Sequence, residues 1–137
     1  MLRHATILFI LVLISGVTAD YIGVKEEDKS IIRNERDVVT LRCFYESTSR
    51  DIMLYWFRQH SKGAPHFLLY KGAKAFTRFK SSPADTRLKS VTNDTSTALT
   101  IAAVNFSDSA LYYCALGGAH VLGGGGAYYG RSRGKKK

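Results

Sequence analysis

Two cysteines, separated by 71 positions, constrain this chain more than any other feature. Cys43 lies in "VTLRCFY" and Cys114 in "DSALYYCAL", where an aspartate, two tyrosines and the cysteine fall within seven positions. They are the only two cysteines among 137 residues. The chain begins with a segment typical of secretion, which indicates an oxidising compartment, so we predict that the two thiols form one disulfide. Two free buried thiols are the alternative.

The N-terminal segment has the composition of a signal peptide. In "MLRHATILFILVLISGVTA", Arg3 supplies a positive charge, an unbroken apolar run spans residues 7–14, and the small residues Val17 and Ala19 suit a signal peptidase. We therefore predict a signal peptide over residues 1–19, removed after Ala19. A retained membrane anchor is the alternative, but eight apolar residues are far fewer than the roughly 20 that cross a bilayer.

Composition divides the rest into one domain, residues 20–116, and a Gly-rich basic tail, residues 117–137. Eight of the 12 glycines fall between positions 117 and 134, and "RSRGKKK" closes the chain. The formal net charge is +9, but residues 20–130 hold 14 basic and 11 acidic residues, a net charge of only +3. We interpret the tail as solvated and irregular rather than as a surface for nucleic acid or anionic lipid. No nucleic-acid partner is predicted.

From Val38 onward, apolar and polar residues alternate with period two, which is typical of half-buried strands. The predicted strands are "VVTLRCFY" (38–45), "IMLYWFRQ" (52–59), "HFLLY" (66–70), "RLKSV" (87–91), "TALTIAAV" (97–104) and "ALYYCAL" (110–116). Short strands at this spacing, without a helical period, predict an antiparallel sandwich or barrel. The candidate core residues are Leu41, Trp56, Leu99, Ile101 and Tyr112.

A tryptophan, a tyrosine and one pair of charged residues favour a sandwich over a barrel. Trp56 follows the first cysteine by 13 residues, where an immunoglobulin-type sandwich packs a tryptophan against the bridge between its sheets. Tyr112 lies two residues before the second cysteine, where the hydroxyl of a tyrosine returns to the backbone upstream. Arg87 and Asp108 are placed to form a bidentate ion pair; two unpaired surface charges are the alternative.

On these residues, together with "LYWFRQ", "LLYKG" and "DSALYYCAL", the stretch from Tyr21 to Leu116 resembles an immunoglobulin variable-type domain. It is most similar to the variable segment of a T-cell receptor alpha or delta chain. An antibody light-chain variable domain is the first alternative, because "KGAPHFLLY" followed by "TRLKS" also suits that family. A variable-type innate receptor, as in fish, is the second. The resemblance implies an all-β V-type sandwich of two antiparallel sheets with Greek-key connections.

The resemblance also implies that the domain pairs with a second variable-domain chain, of T-cell receptor beta or of delta/gamma type. The positions that match the family's pairing residues are Phe57, Gln59, Pro65, Phe67, Tyr70 and Tyr113. Alternation places Tyr55, Phe57, Gln59 and Tyr113 on the outer face of their sheet, so we expect exposed aromatic side chains there. Exposed aromatic patches usually mark contact surfaces.

Antigen contact is implied for loops at one end of the sandwich, with a peptide displayed on a major histocompatibility molecule as the target. The implied loop residues are Ser47, Thr48, Ser49, Arg50, Asp51, Ile52, Lys71, Gly72, Lys74, Ala115, Leu116 and Gly117. One departure is clear: the family's joining strand carries phenylalanine or tryptophan before Gly-x-Gly, and residues 117–137 contain no such motif. We interpret the chain as a variable segment without a normal joining segment, constant domain or membrane span.

The remaining residues argue against catalysis. His60, His66 and His120 show neither metal-ligand spacing nor a nucleophile with its base, so we predict no enzyme activity, no metal and no cofactor. A homophilic adhesion domain is the more serious rival, since one sandwich serves many roles. "NDT" at Asn93 and "NFS" at Asn105 are N-glycosylation acceptors. The predicted location is the secretory pathway and the outer face of the plasma membrane, or the medium if no anchor is joined.

Overall fold

A computed structural model of the chain describes residues 4–10 and 20–118, and the predicted tail lies almost entirely outside them. Nine strands occur in this part: β1 (His4–Ile10), β2 (Tyr21–Gly23), β3 (Ser30–Asn34), β4 (Val39–Glu46), β5 (Asp51–Gln59), β6 (His66–Lys74), β7 (Leu88–Thr92), β8 (Ser96–Ile101) and β9 (Ala110–Gly118). The helical segments there are two 3-10 turns, Glu26–Asp28 and Phe106–Asp108. No helix in the described ranges is long and apolar enough to cross a membrane.

The strands form two sheets that face each other across one core. One sheet has the order β3-β1-β9-β5-β6, and the other has the order β2-β4-β8-β7. All pairings are antiparallel except that of β1 with β9. The predicted β-sandwich is confirmed, with one parallel pairing where the prediction had antiparallel sheets.

The period-two pattern predicted six of the described strands, β4 to β9. The predicted bounds differ from the observed ones by a few residues. In β4 the alternation is regular, with Val39, Leu41, Cys43 and Tyr45 buried between more exposed neighbours. β6 and β9 continue beyond the predicted ends, to Lys74 and Gly118. The pattern did not indicate β2 and β3, because each buries only one side chain, Ile22 and Ile31 respectively.

β1 comes from the segment predicted to be the signal peptide. It lies between β3 and β9, antiparallel to the first and parallel to the second. Ala5 and Ile7 are buried, and the backbone N–H of Thr6 donates to Ser109 Oγ at 3.0 Å. In the full-length chain this segment therefore occupies a sheet position beside β9. Cleavage after Ala19 stays a prediction, since residues 11–19 lie outside the described part.

The predicted core residues surround the disulfide. Cys43 on β4 is bonded to Cys114 on β9, so the bridge joins the two sheets as predicted. Trp56 is fully buried opposite Cys114 in the β5–β9 register, and its indole N–H donates to Thr97 Oγ1 at 3.2 Å. The other predicted core residues, all at most 1% exposed, are Leu41, Leu99, Ile101 and Tyr112.

We expect Trp56→Ala to lower the free energy of unfolding by roughly 3–5 kcal/mol, because it leaves a cavity beside the bridge and removes the donor to buried Thr97. Urea unfolding of the oxidised domain measures this. Val38→Ala is the control, since Val38 is 59% exposed and its truncation should change stability by less than about 0.5 kcal/mol. Equal losses in the two variants would contradict a central role for the tryptophan.

Candidate functional site

At one end of the sandwich, Asp108 is the acceptor in a compact polar cluster. Its Oδ2 and Oδ1 accept from the two terminal nitrogens of Arg87, each at 2.9 Å, which confirms the predicted bidentate pair. Oδ2 also accepts the backbone N–H of Asn105 at 2.9 Å, and Asp108 O accepts the Tyr112 hydroxyl at 2.8 Å. The tyrosine predicted from its spacing to Cys114 therefore makes the predicted backbone contact.

The electrostatics of the cluster follow from this geometry. Burial by itself raises the pKa of the Asp108 carboxyl, but the hydrogen bonds from Arg87 and from the Asn105 amide outweigh it and hold that pKa below its usual value. Hydrogen bonds to Asp108 and then Asp85 raise the pKa of Arg87. The hydrogen bond from Arg87 likewise lowers the pKa of Asp85. All three groups stay ionised at neutral pH.

Sequence reasoning missed two members of this cluster. Asp85 accepts from Arg87 at 2.8 Å, so the guanidinium lies between two carboxylates. Arg58 adds a weaker contact, with its terminal nitrogen 3.9 Å from Asp108. Asp85 could have been found from "DTR", since an aspartate two residues before an arginine can accept its backbone N–H, as Asp85 does at 3.0 Å. Nothing in the sequence pattern indicated Arg58.

The outer face of the five-stranded sheet carries two rows of aromatic side chains. In the first row, Phe57 on β5 lies between Tyr113 on β9 and Phe67 on β6, with the two phenylalanine centroids 5.8 Å apart. In the second row, Tyr55 lies beside Tyr70, with centroids 6.0 Å apart. Phe67 and Tyr70 connect the rows, since their centroids are 6.3 Å apart. The predicted pairing residues on these strands therefore share one surface.

The prediction that this face exposes its aromatics is largely wrong. Tyr55, Phe57 and Tyr113 are only 7%, 8% and 2% exposed, whereas Phe67 is 51% exposed. Tyr113 has a strand on each flank, because β1 pairs with β9 at this residue, and Phe57 and Tyr55 each lie against a ring on β6. Pro65 and Tyr70 are half-buried.

Gln59 forms hydrogen bonds within the domain at the edge of this face. Its Nε2 donates to Gly63 O at 2.9 Å, and its Oε1 accepts from the Tyr113 hydroxyl. A primary amide has two donor hydrogens and two acceptor lone pairs, so one of each is left for a partner. Burial raises the pKa of Tyr113, which keeps its hydroxyl a donor at neutral pH.

The predicted antigen loops are shorter than expected. Ser47, Thr48, Ser49 and Arg50 form a connection between β4 and β5, and exposed Asp51 begins β5. Several implied loop residues lie within strands instead, because β5, β6 and β9 all extend towards this end: Ile52, Lys71, Gly72, Lys74, Ala115, Leu116 and Gly117. Of these, Ile52, Ala115 and Leu116 are buried core residues. The rest of the third loop lies outside the described part.

Two residues of β6 shape the loop end rather than projecting from it. The Lys74 ammonium donates to Ser47 O at 2.9 Å and to Ser49 O at 3.3 Å, so it ties the first loop to β6. At Gly72 any Cβ would lie 2.0 Å from the backbone oxygen of Phe76, so only glycine allows the following turn to fold back onto the strand. Sequence reasoning took both for contact residues because it ended β6 at Tyr70.

The two glycosylation acceptors lie in turns. Asn93 is exposed, and its Oδ1 accepts from the backbone N–H of Thr95 and of Ser96. Asn105 begins the second 3-10 turn, and its Oδ1 accepts from the Ser107 N–H. In each case the hydrogen bonds use the amide oxygen. The described residues contain no group of His, Cys, Asp and Glu able to hold a metal ion.

Comparisons with known proteins agree with this architecture. The family model described as "Immunoglobulin V-set domain" matches residues 26–129. Human T cell receptor alpha variable 14/delta variable 4 is 32% identical over 82 residues, which cover 60% of this chain and 69% of the relative. Human T cell receptor alpha variable 18 is 32% identical over 94 residues, 69% of this chain and 80% of the relative.

The chain belongs to the immunoglobulin V-set family, as a T-cell receptor alpha/delta-type variable domain. The first of the three families that the sequence resembled is thereby confirmed. In this variable domain, the inter-sheet disulfide, the buried tryptophan, the tyrosine hydroxyl on the Asp108 carbonyl and the arginine–aspartate pair all occur together.

The Asp108 cluster makes stability depend on acid pH. A carboxyl whose folded pKa is depressed contributes stability that is complete above its unfolded pKa, near 3.9, and is lost as pH falls through the folded value. We expect Asp108→Asn to cost about 3 kcal/mol at pH 7 and progressively less below about pH 4. Urea unfolding at pH 7, 5, 4 and 3 measures it. Asp94→Asn, at an exposed turn residue, is the control; a constant cost across this range for Asp108→Asn would contradict the assignment.

Proposed function

We propose that this variable domain pairs through the outer face of β5, β6 and β9 with a second variable domain, of T-cell receptor beta or of delta/gamma type. The observation that carries the proposal is the aromatic surface: Phe67 is half-exposed at the edge of two rows of packed rings, and Gln59 retains a donor and an acceptor beside it. Rigid aromatic side chains with polar groups at the rim are typical of protein interfaces. No catalytic role is proposed.

The paired domains would bind peptide displayed on a major histocompatibility molecule through the loop end. The first loop supports this role, because Thr48, Arg50 and Asp51 are exposed. Its backbone is also well ordered by local contacts, since the Ser49 N–H donates to Ser47 Oγ and the Asp51 N–H to Ser49 Oγ, each at 3.0 Å. A loop already held in shape loses less entropy on binding. The domain would act at the outer face of the plasma membrane within a receptor complex, or in the medium.

Phe67, which is 51% exposed and lies outside the buried core, gives a test of pairing. We expect Phe67→Ser to weaken association with a T-cell receptor beta variable domain at least about tenfold, because it removes the exposed ring at the proposed interface. Sedimentation of the mixture measures this. Phe106→Ser is the matched control, since Phe106 is 59% exposed at the Asp108 end of the sandwich. Self-association without a mixed complex would favour the homophilic adhesion alternative.

We also propose that Asn93 and Asn105 carry N-linked glycans. Both lie in turns where the amide nitrogen is not needed for the hydrogen bonds that shape the turn. We expect glycosidase treatment of the secreted protein to increase its gel mobility. Asn93→Gln and Asn105→Gln should each remove part of this mobility shift, because each variant lacks one glycan. Mobility unchanged by the enzyme would contradict occupancy at both sites.

A further inference from the structure

A groove separates the free edges of the two sheets on the side opposite β1. β6 ends one sheet and β7 ends the other. The segment 80–82 covers the edge of β6, because the Ser81 N–H donates to Tyr70 O at 3.1 Å and the Tyr70 N–H donates to Ser81 Oγ at 2.8 Å. Between this segment and β7 lies a groove of about 450 Å³. This arrangement leaves β7 as the exposed edge strand.

The hydrogen-bond pattern of β7 shows which backbone groups point into the groove. Ala102 N–H donates to Arg87 O and Asn93 N–H donates to Ser96 O, so the residues bonded to β8 are the odd-numbered ones. Antiparallel strands alternate bonded and non-bonded pairs, so the N–H and C=O groups of the even-numbered residues point away from β8. Leu88 N–H accordingly bonds to Asp85 O, outside the sheet. Ser90 therefore presents its N–H and C=O to the groove.

The groove is positively charged and has an apolar floor. Lys71, Lys80 and Lys89 line it, and no carboxylate does. The stretch 71–89 contains six of the 14 basic residues of the domain and a single acidic one, Asp85, which is bound to Arg87. Buried Leu69 and Leu88 form the floor. On β7, Lys89 and the 65% exposed Val91 lie on the outer face beside this edge.

We propose that this groove is a docking site for an extended acidic peptide segment of a partner protein, which adds to the edge of β7 as a further strand. Main-chain hydrogen bonds to Ser90 would hold the peptide, its acidic side chains would contact Lys80 and Lys89, and alternate apolar side chains would lie on Leu69 and Leu88. Strand addition of this kind takes its affinity from the backbone and its specificity from alternate side chains. The site is centred on β7 and borders the proposed pairing face at Tyr70, which also lines the groove.

A strand-forming peptide fits these observations better than an anionic polysaccharide does. A sulfated polysaccharide could neutralise the lysines, but it has neither a backbone that matches the spacing of an open strand edge nor apolar side chains for the floor of the groove. Exposed strand edges are usually protected by lysine, which discourages pairing with uncharged strands. Lys89 would thus exclude most strands and admit an acidic one.

Fluorescence polarisation with the secreted protein and a labelled octapeptide of alternating Glu and Val tests the proposal. We expect saturable binding, weakened at least about tenfold by Lys80→Glu with Lys89→Glu, and by less than about twofold by the control Arg42→Glu with Lys62→Glu, an equal charge change elsewhere. Ser90→Pro removes the outward-pointing N–H and should weaken binding at least about fivefold. Ser90→Ala is its control, since both variants lose the hydroxyl that lies 3.4 Å from Thr97 Oγ1 and only the proline loses the N–H. No binding of the octapeptide to the unmodified protein overturns the proposal.

Two further measurements distinguish strand addition from simple charge attraction. An octapeptide N-methylated at every second residue keeps its charge but loses half of its main-chain donors, and of the two possible isomers we expect at least one not to bind. If both isomers bind as tightly as the parent peptide, or if Ser90→Pro leaves binding unchanged, then strand addition is wrong. Heparin binding lost with Lys80→Glu and Lys89→Glu, without octapeptide binding, would identify a polysaccharide site instead. Association with a beta variable domain in the same variants tests the pairing face separately.

Discussion

The bond between Cys43 and Cys114 is the constraint on which the rest of the domain depends. It connects the second strand of one sheet to the third strand of the other and closes a loop of 71 residues, which in the chain-entropy account disfavours the unfolded chain by roughly 4 kcal/mol. The strands on either side of it carry the large side chains that fill the core, Trp56 among them. The indole N–H of Trp56 donates to Thr97 of the opposite sheet. The two sheets are therefore connected by a hydrogen bond as well as by apolar packing.

The residues just before Cys114 connect the disulfide to the polar cluster at the end of the sandwich. Tyr112 lies two residues before Cys114, and its hydroxyl bonds to the carbonyl of Asp108. The carboxylate of that aspartate in turn orients Arg87, which lies just before β7 in the other sheet. The motif "DSALYYC" is dense because it serves three purposes at once: a covalent link, a tyrosine anchor and an ion pair. The same strand also carries Tyr113 to the outer face proposed for pairing.

The sequence was most informative where residues alternate regularly. β4 could be predicted in detail because its buried side chains alternate with more exposed ones, and the motif around Cys114 because Tyr112 has a fixed spacing to the cysteine. β2 and β3 could not, since a strand with one buried residue has no period. Gly72 looked like a loop residue, but the close approach of Phe76 requires a glycine inside a strand. The burial of Tyr55 and Phe57 depends on neighbouring strands, which no local pattern encodes.

The direction of β1 distinguishes it from any other strand that could bond to the same edge of β9. β1 runs parallel to β9, whereas any strand that followed β9 through a tight hairpin would run the opposite way. A parallel ladder has evenly spaced, slanted bonds, whereas an antiparallel ladder has alternately spaced bonds perpendicular to the strands. A strand of the second kind could not lie beside β9 while β1 is bonded there, and it would give that edge of β9 a different bonding pattern.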